Sequence, residues 1–366
     1  MNKEKITRQQ SAAMRGIAVL AIVLHNYCHW LPMVQENEYT FSEHNVRRLM
    51  MLLAHPDASV IAHLLSFFGH YGVPVFVMLS AYGLVMKYES RDDSGAFRIK
   101  TGVCDFISSH YMKLFLMMVT GYACFVLVDY MTPGPRHYDF WNVIGQLGMF
   151  SNLYVNPDHD IWPGPYWYFG LTAQIYIVYR LLLYPGQGSL TGRMDKRKAD
   201  VLMVALAVAS LLAQLLFQPE GLALQWYRYN IFGSFAVLVA AIMFTRSDRV
   251  GDYTRTQYAM ACFMSLLFIF FFSIYEVTWI IVPFLVCIAT VALVKCLPQS
   301  LMRPLAWVGS ISAYMFVCHP IARKVLIPIS RRGDVYSGLV LYLVATLILA
   351  ILFRHLIGLV MKETKG

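Results

Sequence analysis

Long runs of apolar residues, separated by short polar segments, occupy most of this 366-residue chain. A helix needs about 20 mostly apolar residues to cross a bilayer. Runs of this kind predict ten membrane-spanning helices, at 14–33, 60–87, 106–131, 165–184, 200–218, 227–245, 256–275, 277–297, 306–328 and 336–361. A further apolar segment, 140–155, is interrupted by asparagine and glycine, which predicts an interfacial or re-entrant position.

Composition supports the same interpretation. Hydrophobic residues make up 58% of the chain and charged residues only 14%, whereas soluble domains carry about a quarter charged residues. The longest polar stretches, 33–59 and 131–164, are too short to fold alone. We therefore expect an all-α, polytopic integral membrane bundle, with residues 1–366 as a single transmembrane domain and no extra extracytoplasmic domain.

The basic residues predict the orientation of the bundle. If the N-terminus is cytoplasmic and the spans alternate, the inner loops and span ends carry most of the Lys and Arg residues outside the spans. This is the positive-inside pattern, and it predicts that both termini are cytoplasmic. The net charge of +9 is then explained by these loops and by anionic lipid headgroups. The lipid bilayer is an expected partner, and nucleic acid is not.

The seven cysteines are scattered, mostly within apolar runs. They form no C-x-x-C pair and no Cys/His spacing typical of metal ligands. We predict no disulfide framework, no metal site and no permanently bound cofactor.

Polar side chains within the predicted spans are the candidates for function, because such groups are costly in a membrane and face a bundle interior or a cavity. They are Arg15, His25, Asn26, His29, His63, His70, His110, Lys113, Gln174, Asn230 and His319. At about 1.5 Å of rise per residue, His25 lies about 15 Å deeper than Arg15. The pattern predicts a pocket that opens to the cytoplasm, with a basic mouth and an imidazole floor.

Two kinds of chemistry use these groups. Arg and Lys bind phosphates through charge-assisted hydrogen bonds, and neutral imidazole is a base or nucleophile near pH 7. Acyl-coenzyme A would place its phosphates at the mouth and its thioester at a histidine. A transporter or carrier with histidine-based proton coupling is the alternative, but it predicts intramembrane acidic pairs and inverted repeats. The spans contain no Asp or Glu well inside them and no visible repeat, which favours the enzyme.

Four stretches resemble signatures of the membrane acyltransferase-3 family. The first two are "RGIAVLAIVLHNY" (15–27) and "GHYGVPVFVMLSAYGL" (69–84). The other two are "PYWYFGLTAQIYIVYRLLLYP" (165–185) and "VGSISAYMFVCHPIARKV" (308–325). They occur in the family's order and extend from the first predicted span to the ninth.

The resemblance implies an O-acyltransferase of the inner (plasma) membrane. Such a protein moves an acyl group, most often acetyl, from cytoplasmic acyl-coenzyme A to a hydroxyl of an envelope polysaccharide or a lipid-linked glycan. It implies that His25 is catalytic and that Arg15, His110 and Lys113 bind the donor. His319, Gln174 and His29 are further candidates. Their alternatives are structural: His319 could cap a helix break, and Gln174 or His29 could bond a neighbouring helix.

Two departures from the family pattern concern the donor site. Nine residues separate Arg15 from His25 where the family usually has ten, which turns the two side chains about 80° apart on a regular helix. The family's Arg-x-x-Arg reads His110-Tyr111-Met112-Lys113 here. An inactive relative that acts as an assembly or sensory scaffold is therefore a third interpretation.

Because the expected donor is cytoplasmic and the expected acceptor extracytoplasmic, the active site must be reached from both sides of the membrane. We expect an inner cavity rimmed by Arg15, His110 and Lys113 and an outer cleft near His29, Trp162 and Trp167, which meet at His25. Close packing between helices is the expected role of Gly69 and Gly72.

Overall fold

The computed structural model describes residues 5–89, 102–247 and 253–363. Within these ranges the regular elements are all helical, and no β-strand occurs. The α-helices are α1 (Arg8–Cys28), α2 (Glu43–Ala54), α3 (Val60–Phe68), α4 (Gly72–Tyr88), α5 (Val103–Met131), α6 (Phe140–Leu147), α7 (Pro157–Asp160), α8 (Trp167–Val178), α9 (Lys196–Ala213), α10 (Leu222–Tyr229), α11 (Ile231–Arg246), α12 (Arg255–Phe272), α13 (Glu276–Trp279), α14 (Val282–Cys296), α15 (Gln299–Ser310), α16 (Ser312–Arg332) and α17 (Val335–Glu363). A 3₁₀ turn, Gly69–Tyr71, joins α3 to α4, and a π-helical turn, Tyr179–Leu183, extends α8.

The described residues contain 6 helices that are long and apolar enough to cross a membrane, or up to 8 spans if two bent helix pairs each count as one. The six are Arg8–Cys28, Val60–Tyr88, Val103–Met131, Lys196–Leu216, Arg255–Phe272 and Val335–Gly358. The bent pairs are α10 with α11, at 43°, and α15 with α16, at 70°. The all-helical, multi-pass class predicted from the apolar runs is confirmed.

The described helices do not confirm ten spans. Helices occupy all ten predicted segments, but α8 has only 12 residues and α14 only 15. Pro165 precedes α8 and a proline occupies the first turn of α14, where its ring is tolerated best. Ten spans and cytoplasmic termini remain predictions. Several of the charges that predict the orientation lie outside the described residues, namely Lys3, Arg91, Arg98, Lys100, Arg249 and Lys365.

The segment predicted to be interfacial or re-entrant forms the short helix α6 and a 3₁₀ turn, Ser151–Leu153. Neither is long enough to cross a bilayer.

Helix α1 lies at the centre of the fold and contacts α3, α4, α14, α15, α16 and α17. Its contact with the α3–α4 segment depends on two glycines. A Cβ atom at Gly69 would lie 2.5 Å from Cβ of His25, and one at Gly72 would lie 2.4 Å from the carbonyl oxygen of Ala18. Because only glycine allows this approach, the predicted packing role of both glycines is confirmed. The same contact presses His25 against the α3–α4 turn.

Glycines also allow a close contact between α1 and α15, on another face of α1. A Cβ atom at Gly309 would lie 1.7 Å from the carbonyl oxygen of Ala12, and one at Gly16 would lie 2.1 Å from that of Leu305. The backbones of the two helices therefore approach closely. This crossing and the Gly69–Gly72 contact fix the position of α1 from two sides.

Candidate functional site

A cavity of about 230 Å³ lies at the end of α1 that carries Cys28. Its polar walls are side chains from α1, the loop that follows it, the α3–α4 turn, α7, α10 and α16. They are His25, Asn26, His29, Glu36, Glu38, His70, Asp158, Gln225 and Arg323. Its aromatic walls are Trp30, Tyr39, Trp162, Trp167, Tyr168, Tyr229 and Phe316. The prediction that His25, His29, Trp162 and Trp167 border one cleft is confirmed.

His25 is buried, and one nitrogen of its ring has a defined partner. Its Nδ1 lies 2.7 Å from the backbone carbonyl oxygen of Ser66 in α3. A carbonyl oxygen can only accept a hydrogen bond, so this contact assigns the proton to Nδ1. In the neutral ring, Nε2 of His25 then carries a lone pair.

His29 lies one helical turn beyond His25 and on the same face, because residues four apart on a helix are neighbours. The two ring centroids are 5.6 Å apart. Nδ1 of His29 lies 2.7 Å from Oε2 of Glu36, and Gln35 donates a hydrogen bond to the His29 carbonyl at 3.2 Å. The loop after α1 therefore folds back over its end and brings a carboxylate to the imidazole.

The two glutamates of this loop differ in their protonation. Burial opposes ionisation of Glu36, but the neighbouring imidazoles of His29 and His25 outweigh it and lower the pKa of Glu36 to about 2. Burial, reinforced by the charge of Glu36, raises the pKa of Glu38 well above its ordinary value. Because a depressed pKa favours the ionised carboxylate above that pKa, Glu36 stays charged across the physiological pH range. Glu38 holds its proton to a higher pH.

His70 is a third imidazole beside His25. Its ring lies 5.7 Å from that of His25 in an edge-on arrangement, and it is buried. Within the part of the chain that the structure describes, neither ring nitrogen of His70 has a hydrogen-bond partner. Such a buried polar group is costly unless water or a ligand satisfies it.

Arg323, on α16, is the cationic side chain among the described residues that line the cavity. Its Nη1 lies 3.2 Å from Oδ1 and 3.3 Å from the backbone oxygen of Asn26, and its guanidinium lies 4.7 Å from the centre of the Trp30 ring. Arg323 therefore ties α16 to α1 at the wall of the cavity.

His319, four residues before Arg323, is fully buried but does not appear among the described residues that line the cavity. Its Nδ1 lies 3.3 Å from the Met315 carbonyl oxygen. Helix α16 continues through Pro320, and the sharp bend comes earlier, at Ile311. His319 therefore does not cap that bend.

Gln174 is part of a polar contact between helices. Its side chain donates to Oδ1 of Asn230 at 2.7 Å and accepts from the backbone N–H of Ile231 at 2.8 Å. Gln174 thus hydrogen-bonds the polar groups at the break between α10 and α11. A bond to a neighbouring helix is the structural alternative predicted for this residue.

The three residues predicted to bind the donor lie away from His25. Arg15 and Lys113 are exposed. Nε2 of His110 lies 3.1 Å from the Tyr88 hydroxyl, and its Nδ1 lies 2.8 Å from the Phe106 carbonyl oxygen. The cavity lining, as far as the described residues show it, includes none of the three. Exposure of Arg15 on a helix that buries His25 agrees with the angle expected from their spacing.

Sequence reasoning missed Glu36 and Glu38, in the loop after α1, and Asp158, in the four-residue helix α7, because segments this short carry no periodic signal that indicates direction. It also did not single out Arg323, which lies near the end of a predicted span. The four-residue spacing of His319 and Arg323, which places them on one helix face, was the available signal for Arg323.

Comparison with known families gives a match over most of the chain. A family described as an acyltransferase domain, acyltransferase-3, matches residues 11–355. Comparison with curated proteins and with solved structures found no match. The matched range includes every described residue that lines the cavity.

Proposed function

Because this chain belongs to the acyltransferase-3 family, we propose that it transfers an acetyl group from cytoplasmic acyl-coenzyme A to a hydroxyl of an envelope polysaccharide or lipid-linked glycan. The observation that carries this proposal is the position of His25. Its Nδ1 is held by the Ser66 carbonyl, and its ring borders the polar cavity. The proposed protein has ten spans in the inner (plasma) membrane, with both termini cytoplasmic.

The walls of the cavity suit a sugar acceptor. The indole rings of Trp30, Trp162 and Trp167 offer flat apolar faces, and the side chains of Glu38 and Asp158 offer acceptors for hydroxyl protons. Sites of this kind combine aromatic walls with a few polar groups that fix orientation. The acceptor hydroxyl would lie above His25.

The proposed donor site is at the opposite end of α1. Arg15 and Lys113 would hold the phosphates of coenzyme A through charge-assisted bonds, and His110 would add a hydrogen bond. Ten helical residues, about 15 Å along the axis, separate Arg15 from His25. The pantetheine arm of coenzyme A, which separates its phosphates from its thiol, would extend along this path.

The proposed reaction has two steps, as expected for nucleophilic catalysis. The Nε2 lone pair of His25 attacks the thioester carbon, the C–S bond breaks, and coenzyme A leaves as thiolate. The acyl-imidazolium keeps its proton on Nδ1, which donates a hydrogen bond to the Ser66 carbonyl oxygen. The acceptor oxygen then attacks the acyl carbon, the C–N bond breaks, and its electron pair returns to Nε2.

Transfer of labelled acetyl tests this function directly. Membrane vesicles that contain the protein, supplied with [14C]acetyl-coenzyme A on the cytoplasmic side, are expected to form an alkali-labile labelled glycan that control vesicles do not form. The measurement is radioactivity in the extracted glycan before and after mild base treatment. Uptake of a solute without any labelled glycan would contradict the proposal and favour the carrier.

Neutralising the basic residues tests the donor site. Arg15→Gln and Lys113→Gln should each weaken binding of acetyl-coenzyme A about tenfold, because loss of one charge-assisted hydrogen bond costs about 1.5 kcal/mol. Binding to purified variants by calorimetry measures this. Arg47→Gln, on the exposed face of α2, is the matched control. Unchanged affinity in both variants would show that these residues do not bind the phosphates.

A further inference from the structure

The His29–Glu36 pair is built like the base of a hydrolytic triad. A carboxylate oxygen lies 2.7 Å from Nδ1 of His29, and the side chain of Glu36 is only 11% exposed. In such sites a buried carboxylate holds the imidazole in one tautomer and stabilises its protonated form. Because Nδ1 of His29 donates to Glu36, Nε2 of the neutral ring is left as the acceptor.

The pair lies beside the group that would carry the acyl intermediate. His25 and His29 are one turn apart, with ring centroids 5.6 Å apart, and both line the cavity. His25 lies deeper along α1, whereas the half-buried His29 follows the last residue of that helix. A hydroxyl that enters past His29 therefore meets this imidazole before it reaches His25.

Other charged or titratable groups of the cavity do not duplicate this arrangement. His70 has no described partner to orient it, Arg323 can only donate, and Oδ1 of Asp158 accepts from the Tyr229 hydroxyl at 3.0 Å. Glu38 holds its proton to a higher pH than Glu36.

We propose that His29, positioned by Glu36, is the general base that removes the proton of the acceptor hydroxyl. This inference rests on the proposed function, in which His25 carries the acyl group. As the acceptor oxygen attacks the acyl carbon, the hydroxyl proton passes to Nε2 of His29, and the broken C–N bond returns its electrons to His25. His29 then releases the proton to water in the cavity, and the coenzyme A thiolate takes a proton from solvent. His29 is thus a catalytic residue of the second step, and Glu36 is a positioning residue.

The Glu36→Gln variant distinguishes acylation of His25 from transfer of the acyl group to the acceptor. Because His25 is untouched, the purified variant in nanodiscs should still release a burst of about one coenzyme A per protein from acetyl-coenzyme A. Its steady-state transfer to glycan should fall by about 10²- to 10⁴-fold, the range for loss of general-base catalysis. The acid limb of the pH–rate profile should move to lower pH, because the imidazolium of His29 loses its anionic partner. Glu36→Asp should recover part of the rate.

Glu43→Gln is the matched control, because it removes one carboxylate from an exposed position on α2, and its burst and turnover should equal those of the parent. Parent-like turnover and pH profile in Glu36→Gln would overturn the role of the pair and leave the proposed function intact. A parallel loss of burst and turnover with an unchanged pH profile would assign Glu36 a purely structural role. Stoichiometric zinc in the parent that Glu36→Gln lacks would also overturn the inference, since His25, His29 and Glu36 would then be metal ligands. Absence of both burst and transfer in the parent would overturn the proposed function itself.

Discussion

Replacement of His25 by alanine will abolish acyl transfer while the protein still inserts into the membrane. The imidazole of His25 borders the cavity, and its Nδ1 is held 2.7 Å from the Ser66 carbonyl. In our proposal the neighbouring His29, paired with Glu36, is the base of the second step and not the nucleophile. We expect a loss of at least about 10³-fold, within the range for removal of a catalytic nucleophile. Label from [14C]acetyl-coenzyme A in the glycan measures it.

His44→Ala is the matched control, because this histidine is exposed on α2, and its transfer rate should equal that of the parent. Size-exclusion profiles of both variants in detergent check that they fold. Substantial transfer by folded His25→Ala would rule out the assignment of His25.

Arg246→Ala will cause a large loss of stability. Nε of Arg246 lies 2.7 Å from Oε2 and Nη2 2.8 Å from Oε1 of Glu89, a bidentate pair between the ends of α4 and α11. Tyr179 also donates to Glu89, at 3.1 Å. Because the Glu89 side chain is only 4% exposed, removal of Arg246 would leave a buried carboxylate without its cation. Removing one partner of a buried pair lowers the free energy of unfolding by about 3–5 kcal/mol.

Thermal unfolding in detergent, followed by intrinsic fluorescence, measures this effect. Arg47→Ala is the control, because its exposed pair with Glu43 contributes about 0–1 kcal/mol. Adding Glu89→Gln to Arg246→Ala should restore part of the loss, since it removes the unpaired charge. A loss in Arg246→Ala no greater than in Arg47→Ala would show that the pair does not stabilise the fold.

Much of the fold could be predicted from the sequence alone. The apolar runs determined the all-helical membrane class, because a segment in lipid must satisfy its backbone hydrogen bonds internally and a helix does so. The spacing of His25 and His29 determined that they share a helix face. The packing roles of Gly69 and Gly72 could also be predicted from the sequence, because a close helix crossing requires residues without a side chain.

Only the tertiary structure decided which distant residues meet. The 2.7 Å contact of Glu36 with His29 depends on how a loop without periodicity folds back. The contact of Arg323 with Asn26 joins residues 297 positions apart. The 70° bend between α15 and α16 likewise depends on the neighbouring helices. Local periodicity reports which side of a helix is apolar, but the partner of each polar group depends on the packing of the whole bundle. The cavity was therefore visible in the sequence through its histidines and tryptophans, but not through its carboxylates.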